Sequence, residues 1–310
     1  MTSPQPAFAS PSQMGPALTE TRTALVTGSN GGVGLALAER LAGDGWRVLL
    51  HGRDPDKLAR ARARLGVGGP HAAFRADLAH PDGPRQLAAA VAEATRRLDV
   101  LVHNAGLLRP SRERTEDGVE VTLAVNALAP FRLTQALRPL LASTADAQGG
   151  ARVVTVSSEA HAAGRLPGPD VDALVRTFRG PDDPARYSSV MAYATAKLTA
   201  TCWTLELARR LADDGVTAHA CHPGVVRTGV FGGMGGVLGA AARLASFLYL
   251  SPAAGAASPH LLATAPPYGE RTGRWVTRGH FREPHEADPP PVAARPDMGA
   301  AVWEALATLA

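Results

Sequence analysis

The stretch Thr23-Ala24-Leu25-Val26-Thr27-Gly28-Ser29-Asn30-Gly31-Gly32-Val33-Gly34 decides the fold. Thr23 to Thr27 reads as a short apolar strand. Thr27, Gly28, Gly32 and Gly34 give the spacing T-G-x-x-x-G-x-G, and Leu35 to Ala42 then reads as a helix. Strand, glycine turn and helix in that order form the arrangement that seats a dinucleotide. Glycines let the backbone turn sharply and come close to a pyrophosphate. The helix N-terminus beyond offers free N–H groups and a partial positive charge. The chain holds 32 glycines, so the spacing alone is weak. Its place after the first strand and at the opening of a helix gives it weight.

The alternation continues outward. Arg47 to His51, Ala73 to Ala76, Val100 to His103, Arg152 to Ser157 and Thr217 to Cys221 read as strands. Helical stretches lie between them at Asp56 to Leu65, Pro84 to Arg97, Gly118 to Ser143 and Tyr193 to Ala212, and Met298 to Leu309 is a last helix. Strands alternating with helices of this length predict an α/β fold: a single Rossmann-type, doubly wound parallel sheet with helices on both faces. Residues 21–310 read as that one domain, and no linker divides it. Residues 1–20, rich in Pro, Ser, Gln and Ala, read as a flexible tail.

Composition excludes several classes. The formal charge of +4 comes from 32 Lys and Arg against 28 Asp and Glu, with no dense basic run, which argues against nucleic acid as a partner. Cys202 and Cys221 are too few for a disulfide framework and lack metal-ligand spacing, so a reducing cytoplasm is the expected setting. Residues 1–20 show no signal peptide. The longest apolar candidate, Ala240 to Leu250, is broken by Arg243 and is too short to span a membrane.

The end of the second strand selects the cofactor. A carboxylate there would accept hydrogen bonds from the ribose 2′-hydroxyl of NAD, whereas an arginine pairs with the 2′-phosphate of NADP. The chain reads Leu50-His51-Gly52-Arg53 with no carboxylate before Arg53, which favours NADP(H) over NAD(H). Asp54 beside it is available to offset the charge.

Tyr193 and Lys197 lie four apart on a predicted helix and so share a face. A cation beside a phenol stabilises the phenolate and lowers a pKa normally near ~10. That makes Tyr193 a general acid or base near neutral pH. Lys57 and Lys197 are the only lysines in an arginine-rich chain. Tyr187 lacks a lysine four residues on, where Met191 stands. Ser157 and Ser158 end a strand, where ligands bind in open α/β sheets.

Together these residues resemble the short-chain dehydrogenase/reductase family over roughly residues 22–310. The resemblance runs through Thr27 to Gly34, Asp77-Leu78, Asn104-Ala105-Gly106, Asn126, Ser157-Ser158, Tyr193/Lys197 and Pro223 to Thr228. Within the family the chain looks most like the retinol-dehydrogenase-like branch, from His51-Gly52-Arg53-Asp54, Pro130-Phe131, Ala160-His161 and His222-Pro223-Gly224. It departs at His103, where many relatives have Asn, and at Ala129, where many have Gly.

The resemblance implies roles. Tyr193 is the proton donor for carbonyl reduction or the base for alcohol oxidation. Lys197 tunes it and binds the nicotinamide ribose, Ser158 hydrogen-bonds the substrate oxygen, and Asn126 holds a relay water. Gly28, Ser29, Asn30, Gly32, Val33 and Gly34 surround the pyrophosphate and adenosine. Arg53 meets the 2′-phosphate, Asp77 and Leu78 the adenine, and Asn104, Ala105 and Gly106 the adenosine ribose side. Val226 and Thr228, after Pro223-Gly224, bind the carboxamide, and no metal is needed.

A substrate lid is expected over residues 229–250, rich in glycine with Phe231 and Met234. The insertion at about 162–190 carries Leu166, Val171, Leu174, Val175 and Phe178 at helical spacing. It is expected to pack on the core, with a second cleft wall as the alternative. The pocket is expected to take a lipophilic ketone, aldehyde or secondary alcohol. The chain is expected to act as a monomer or homodimer. The competing reading is a non-catalytic NADP(H)-binding regulator, against which the intact Ser158/Tyr193/Lys197 set argues.

Overall fold

The structure is a computed structural model that describes residues 21–66, 69–226, 250–279 and 282–310. The expected tail (1–20), Thr228 and the lid segment up to residue 249 lie outside the described residues. Eight strands form one sheet: β1 (Thr23–Val26), β2 (Arg47–Gly52), β3 (Ala72–Arg75), β4 (Val100–His103), β5 (Ala151–Val156), β6 (Val216–Cys221), β7 (Trp275–Thr277) and β8 (His285–Ala287). Their order is β3-β2-β1-β4-β5-β6-β7-β8, and only the β7–β8 pair is antiparallel. The chain goes one way from β1 to β3 and the other way from β4 onward. A crevice therefore opens above the carboxyl ends of β1 and β4.

The main helices are α1 (Gly32–Gly43), α2 (Pro55–Arg64), α3 (Gly83–Ala94), α4 (Ala129–Gln148), α5 (Val171–Arg179), α6 (Ser189–Arg210), α7 (Ala257–Thr264) and α8 (Pro296–Leu309). The central strands are apolar on both faces because both are covered. Leu25, Leu49, Leu101 and Val153 enter one core with α3, α4, α6 and α8. Val26, Leu50, Val102 and Val154 enter the other with α1, α2 and α7.

Helix starts account for most departures from the expected boundaries. Ser188 accepts the Met191 N–H and starts α6 at Ser189, one turn before Tyr193. Asp54 caps α2 through the Lys57 N–H, with Pro55 as its first residue. The helix expected from Gly118 begins at Val121, where the Glu120 carboxylate accepts the Thr122 and Leu123 N–H groups. A π-helical turn, Ala124–Leu128, then interrupts it before α4, which runs on to Gln148. The insertion packs on the core as expected. Leu174 and Phe178 of α5 are fully buried there, and the α5 stripe does not line the cleft described below.

His51, His103, His219 and His222 are buried, and burial lowers their pKa values to about 4, 3, 4 and 4. Each folded value lies below that of the unfolded chain, so the stability is present above pH ~6.5 and is lost as pH falls toward 4. Each histidine must take up a proton in a buried site as pH falls, and all four act in the same direction. Tm is expected to be level between pH 7 and 8 and to fall by roughly 10 °C or more by pH 5. A Tm unchanged down to pH 4.5 in a calorimetric series would remove this account.

Candidate active site

The carboxyl ends of the strands and the loops after them enclose a cleft of about 970 Å³. At one end lies the glycine turn. Gly28 has φ +66°, and a Cβ there would sit 2.8 Å from the Ala105 Cα. A Cβ on Gly34 would meet the Gly28 carbonyl oxygen at 2.5 Å. Both positions therefore require glycine. Gly31 precedes α1 without a side-chain cap, leaving the first-turn N–H groups for solvent or an anion.

Three side chains brace the turn. The Thr27 hydroxyl accepts the Asn104 and Ala105 N–H groups, both at 3.0 Å. Asn104 Nδ2 donates to the Thr27 and Gly28 carbonyls at 2.9 and 3.2 Å. His51 Nδ1 accepts the Gly28 N–H at 3.2 Å, while its Nε2 donates to the Ala76 carbonyl at 3.2 Å. Burial keeps this imidazole neutral, as both bonds require. The sequence reading missed His51 as a brace. Its partners come from neighbouring strands, so no local spacing signals the contact.

Of the residues expected to hold a dinucleotide, Gly28, Asn30, Gly32, Val33 and Gly34 line this end of the cleft. Arg53, Asp77, Leu78, Asn104, Ala105 and Gly106 line it as well, as do Pro223, Gly224 and Val226. Ser29 does not. It is fully buried, and its hydroxyl accepts the His51 N–H at 3.0 Å, so it joins the turn to β2. Arg53 is half exposed and lies 3.7 Å from Asp77. Asp54, available in sequence to offset it, caps α2 and sits 3.9 Å from Lys57. Lys57 also lines the cleft and adds a second cation there, one the sequence reading passed over. The tight glycine turn, the uncapped helix start and the paired cations fit a phosphorylated dinucleotide.

At the other end Ser158, Tyr193 and Lys197 come together. The Ser158 side chain hydrogen-bonds Tyr193 and accepts the Ala160 N–H at 3.2 Å. Ser157 faces away, donating to the Lys197 carbonyl at 3.1 Å with Thr201 at 2.9 Å, which pins β5 to α6. Lys197 Nζ donates to the Val156 carbonyl at 2.9 Å and lies 5.7 Å from the centre of the Tyr193 ring. Burial pushes the Tyr193 pKa up to about 12, with the Ser158 hydrogen bond pulling the other way. Burial brings Lys197 down to about 8. The expected lowering of the Tyr193 value is thus not met in the protein alone. At this depth, desolvation of each charged form outweighs the attraction between them.

Asn126 lies behind the cleft wall on the π-helical turn. Its Nδ2 donates to the Leu107 and Thr122 carbonyls, both at 2.7 Å, and its buried Oδ1 has no partner in the protein. A Cβ placed on Gly106 would lie 2.6 Å from that Oδ1 and 3.4 Å from Lys197 Nζ, so both atoms lie close to Gly106 and a larger residue there would displace Asn126. Tyr187 takes no place in the cleft. Its hydroxyl donates to Glu120 at 3.0 Å, tying the end of the insertion to the cap of the Asn126 helix. Val226, which lines the cleft, forms a parallel bridge with Leu250, the last residue of the expected lid.

The sequence model of one family, described as short chain dehydrogenase, matches residues 22–169. A protein of Streptomyces sp. (strain C5) named as a daunorubicin C-13 ketoreductase is 36% identical over 92% of this chain and 91% of its own length. Human dehydrogenase/reductase SDR family member 13 is 36% identical over 93% of this chain and 73% of its own. Human retinol dehydrogenase 13 is 37% identical over 67% of this chain and 60% of its own. Among solved structures, the Pseudomonas aeruginosa RhlG/NADP active-site complex superposes with a TM-score of 0.65 at 26% identity, over 84% of this chain and 95% of that one.

Proposed function

The chain belongs to the short-chain dehydrogenase/reductase family, and on that premise we propose an NADP(H)-dependent reductase of lipophilic ketones and aldehydes, with Tyr193 as its general acid. Its relatives are named as dehydrogenases and ketoreductases, and it is an oxidoreductase acting on CH–OH groups. The Ser158–Tyr193 hydrogen bond at the end of a cleft headed by the glycine turn carries the proposal.

When bound, the nicotinamide supplies or accepts the hydride. The chain's own residues handle the proton. The Ser158 and Tyr193 hydroxyls are hydrogen-bonded neighbours, so a carbonyl oxygen placed beside them can accept from both. With its pKa pushed up to about 12, Tyr193 stays protonated through the neutral range and is ready to donate. As the proton leaves Tyr193, the Lys197 ammonium stabilises the growing phenolate. The unpartnered Asn126 Oδ1, which lies near Gly106 as Lys197 Nζ does, supports Asn126 as the holder of a relay water that returns a proton to the pair.

The non-catalytic alternative needs none of these three side chains. Two buried, unpaired cysteines fit a cytoplasmic setting, and among the described residues no helix is long and apolar enough to cross a membrane.

Arg53 and Lys57 support NADP(H) over NAD(H). Arg53→Asp is expected to weaken NADPH binding more than ~10-fold while sparing NADH, since a 2′-phosphate contact is lost and a like charge placed beside it. Fluorescence titration of both nucleotides checks this, and equal losses for the two would remove Arg53 from the 2′-phosphate. NADPH consumption across lipophilic ketones and aldehydes tests the proposal itself. Tight NADPH binding with no turnover, and none of alcohols with NADP⁺, would favour the regulator.

A further inference from the structure

On the substrate side of the cleft, beside Ser158, stand two groups the proposed chemistry leaves unused. His222 follows β6 and Glu159 follows Ser158, and both line the cleft. The Glu159 backbone N–H donates to His222 Nδ1 at 3.2 Å. That bond makes Nδ1 an acceptor and places the imidazole proton on Nε2. Burial and the nearby His161 hold the ring neutral. His222 is only 3% exposed, and its Nε2 has no hydrogen-bond partner in the protein. Buried polar groups are nearly always satisfied, so a donor left in a cleft wall points to a ligand atom. The Glu159 carboxylate is the nearest anion, 3.7 Å from that nitrogen, which is beyond hydrogen-bond length. Its side chain is largely exposed.

We propose that Glu159 and His222 form a subsite for a hydroxyl group carried by the substrate next to its reacting carbonyl. The assignment rests on the reductase reading above and adds to it the substrate class of hydroxylated ketones. The two sites share one cleft, and Ser158, hydrogen-bonded to Tyr193, is the chain neighbour of Glu159. A hydroxyl satisfies both members of the pair from a single atom: it accepts from Nε2–H and donates to the carboxylate. An ammonium has no lone pair for Nε2–H. A carboxylate has no proton to give and is repelled by Glu159. An ether or second carbonyl accepts but leaves Glu159 without a donor.

The test compares α-hydroxyacetophenone with α-methoxyacetophenone at saturating NADPH. The two substituents withdraw electrons from the carbonyl similarly, but only the hydroxyl donates to Glu159. The readout is the ratio of their kcat/KM values, which cancels general damage to the enzyme. The wild-type ratio is expected to favour the hydroxy ketone by at least ~10-fold, since a polar pair left unmatched discriminates strongly. Glu159→Ala is expected to bring the ratio close to one. Glu159→Gln keeps an acceptor oxygen and is expected to retain part of the preference. A wild-type ratio near one, or a ratio unchanged in Glu159→Ala, overturns the subsite while turnover of both ketones leaves the reductase reading standing. If wild type reduces neither these ketones nor any other carbonyl, the reductase reading fails and the subsite falls with it.

Discussion

Tyr193→Phe is expected to lower kcat for ketone reduction roughly 1,000-fold, within the range that a positioned general acid contributes. The substitution keeps the ring, which is nine-tenths buried on α6, and removes only the hydroxyl that meets Ser158. Losing that one hydrogen bond costs folding roughly 1 kcal/mol, so the protein stays folded. The glycine turn, Arg53 and Lys57 are untouched, and NADPH affinity is expected to change by less than ~3-fold, as for a deletion acting only in the transition state. Single-turnover NADPH consumption and a binding titration on the same protein separate the two effects. Turnover kept within tenfold of wild type would mean that another group delivers the proton.

Lys197→Met is the second large effect. Methionine fills a similar volume in this buried position without the charge. Loss of the cation that stabilises the growing phenolate is expected to lower kcat roughly 100-fold or more at saturating NADPH. A pH series gives the sharper reading. Lys197 has a pKa of about 8, so the ammonium is present below that value and is lost as pH rises through it. Wild-type reduction is therefore expected to be fastest below pH 8 and to decline above it. In Lys197→Met this declining limb should vanish. A variant that keeps the same limb would assign it to another group.

Much of this was legible in the sequence because the deciding features are local. The turn from Thr27 to Gly34 needs glycine for backbone reasons that hold in any surroundings. Tyr193 and Lys197 share a helix face wherever that helix packs. Short buried strands alternating with helices leave few topologies other than a doubly wound sheet, and an eight-stranded, mostly parallel sheet is what forms. Boundaries slipped where a cap decided them, as at Ser188 and Glu120. Hydrophobic period registers a helix's interior better than its first turn.

What only the tertiary structure decided concerns groups that meet across strands. His51 reaches the Gly28 N–H and the Ala76 carbonyl from a separate strand. The hydroxyl of Ser29, expected at the pyrophosphate, turns instead to the backbone of β2. Ser157 and Ser158 differ in role because successive residues at a strand end point to opposite sides: one braces α6 and the other meets Tyr193. The His222–Glu159 pair forms only because β5 and β6 are neighbours, which brings together residues 63 apart in sequence. The protonation of the Tyr193–Lys197 pair was likewise set by depth. Spacing fixes how close two groups on a helix lie, but burial decides which charged forms survive, and burial belongs to the assembled fold.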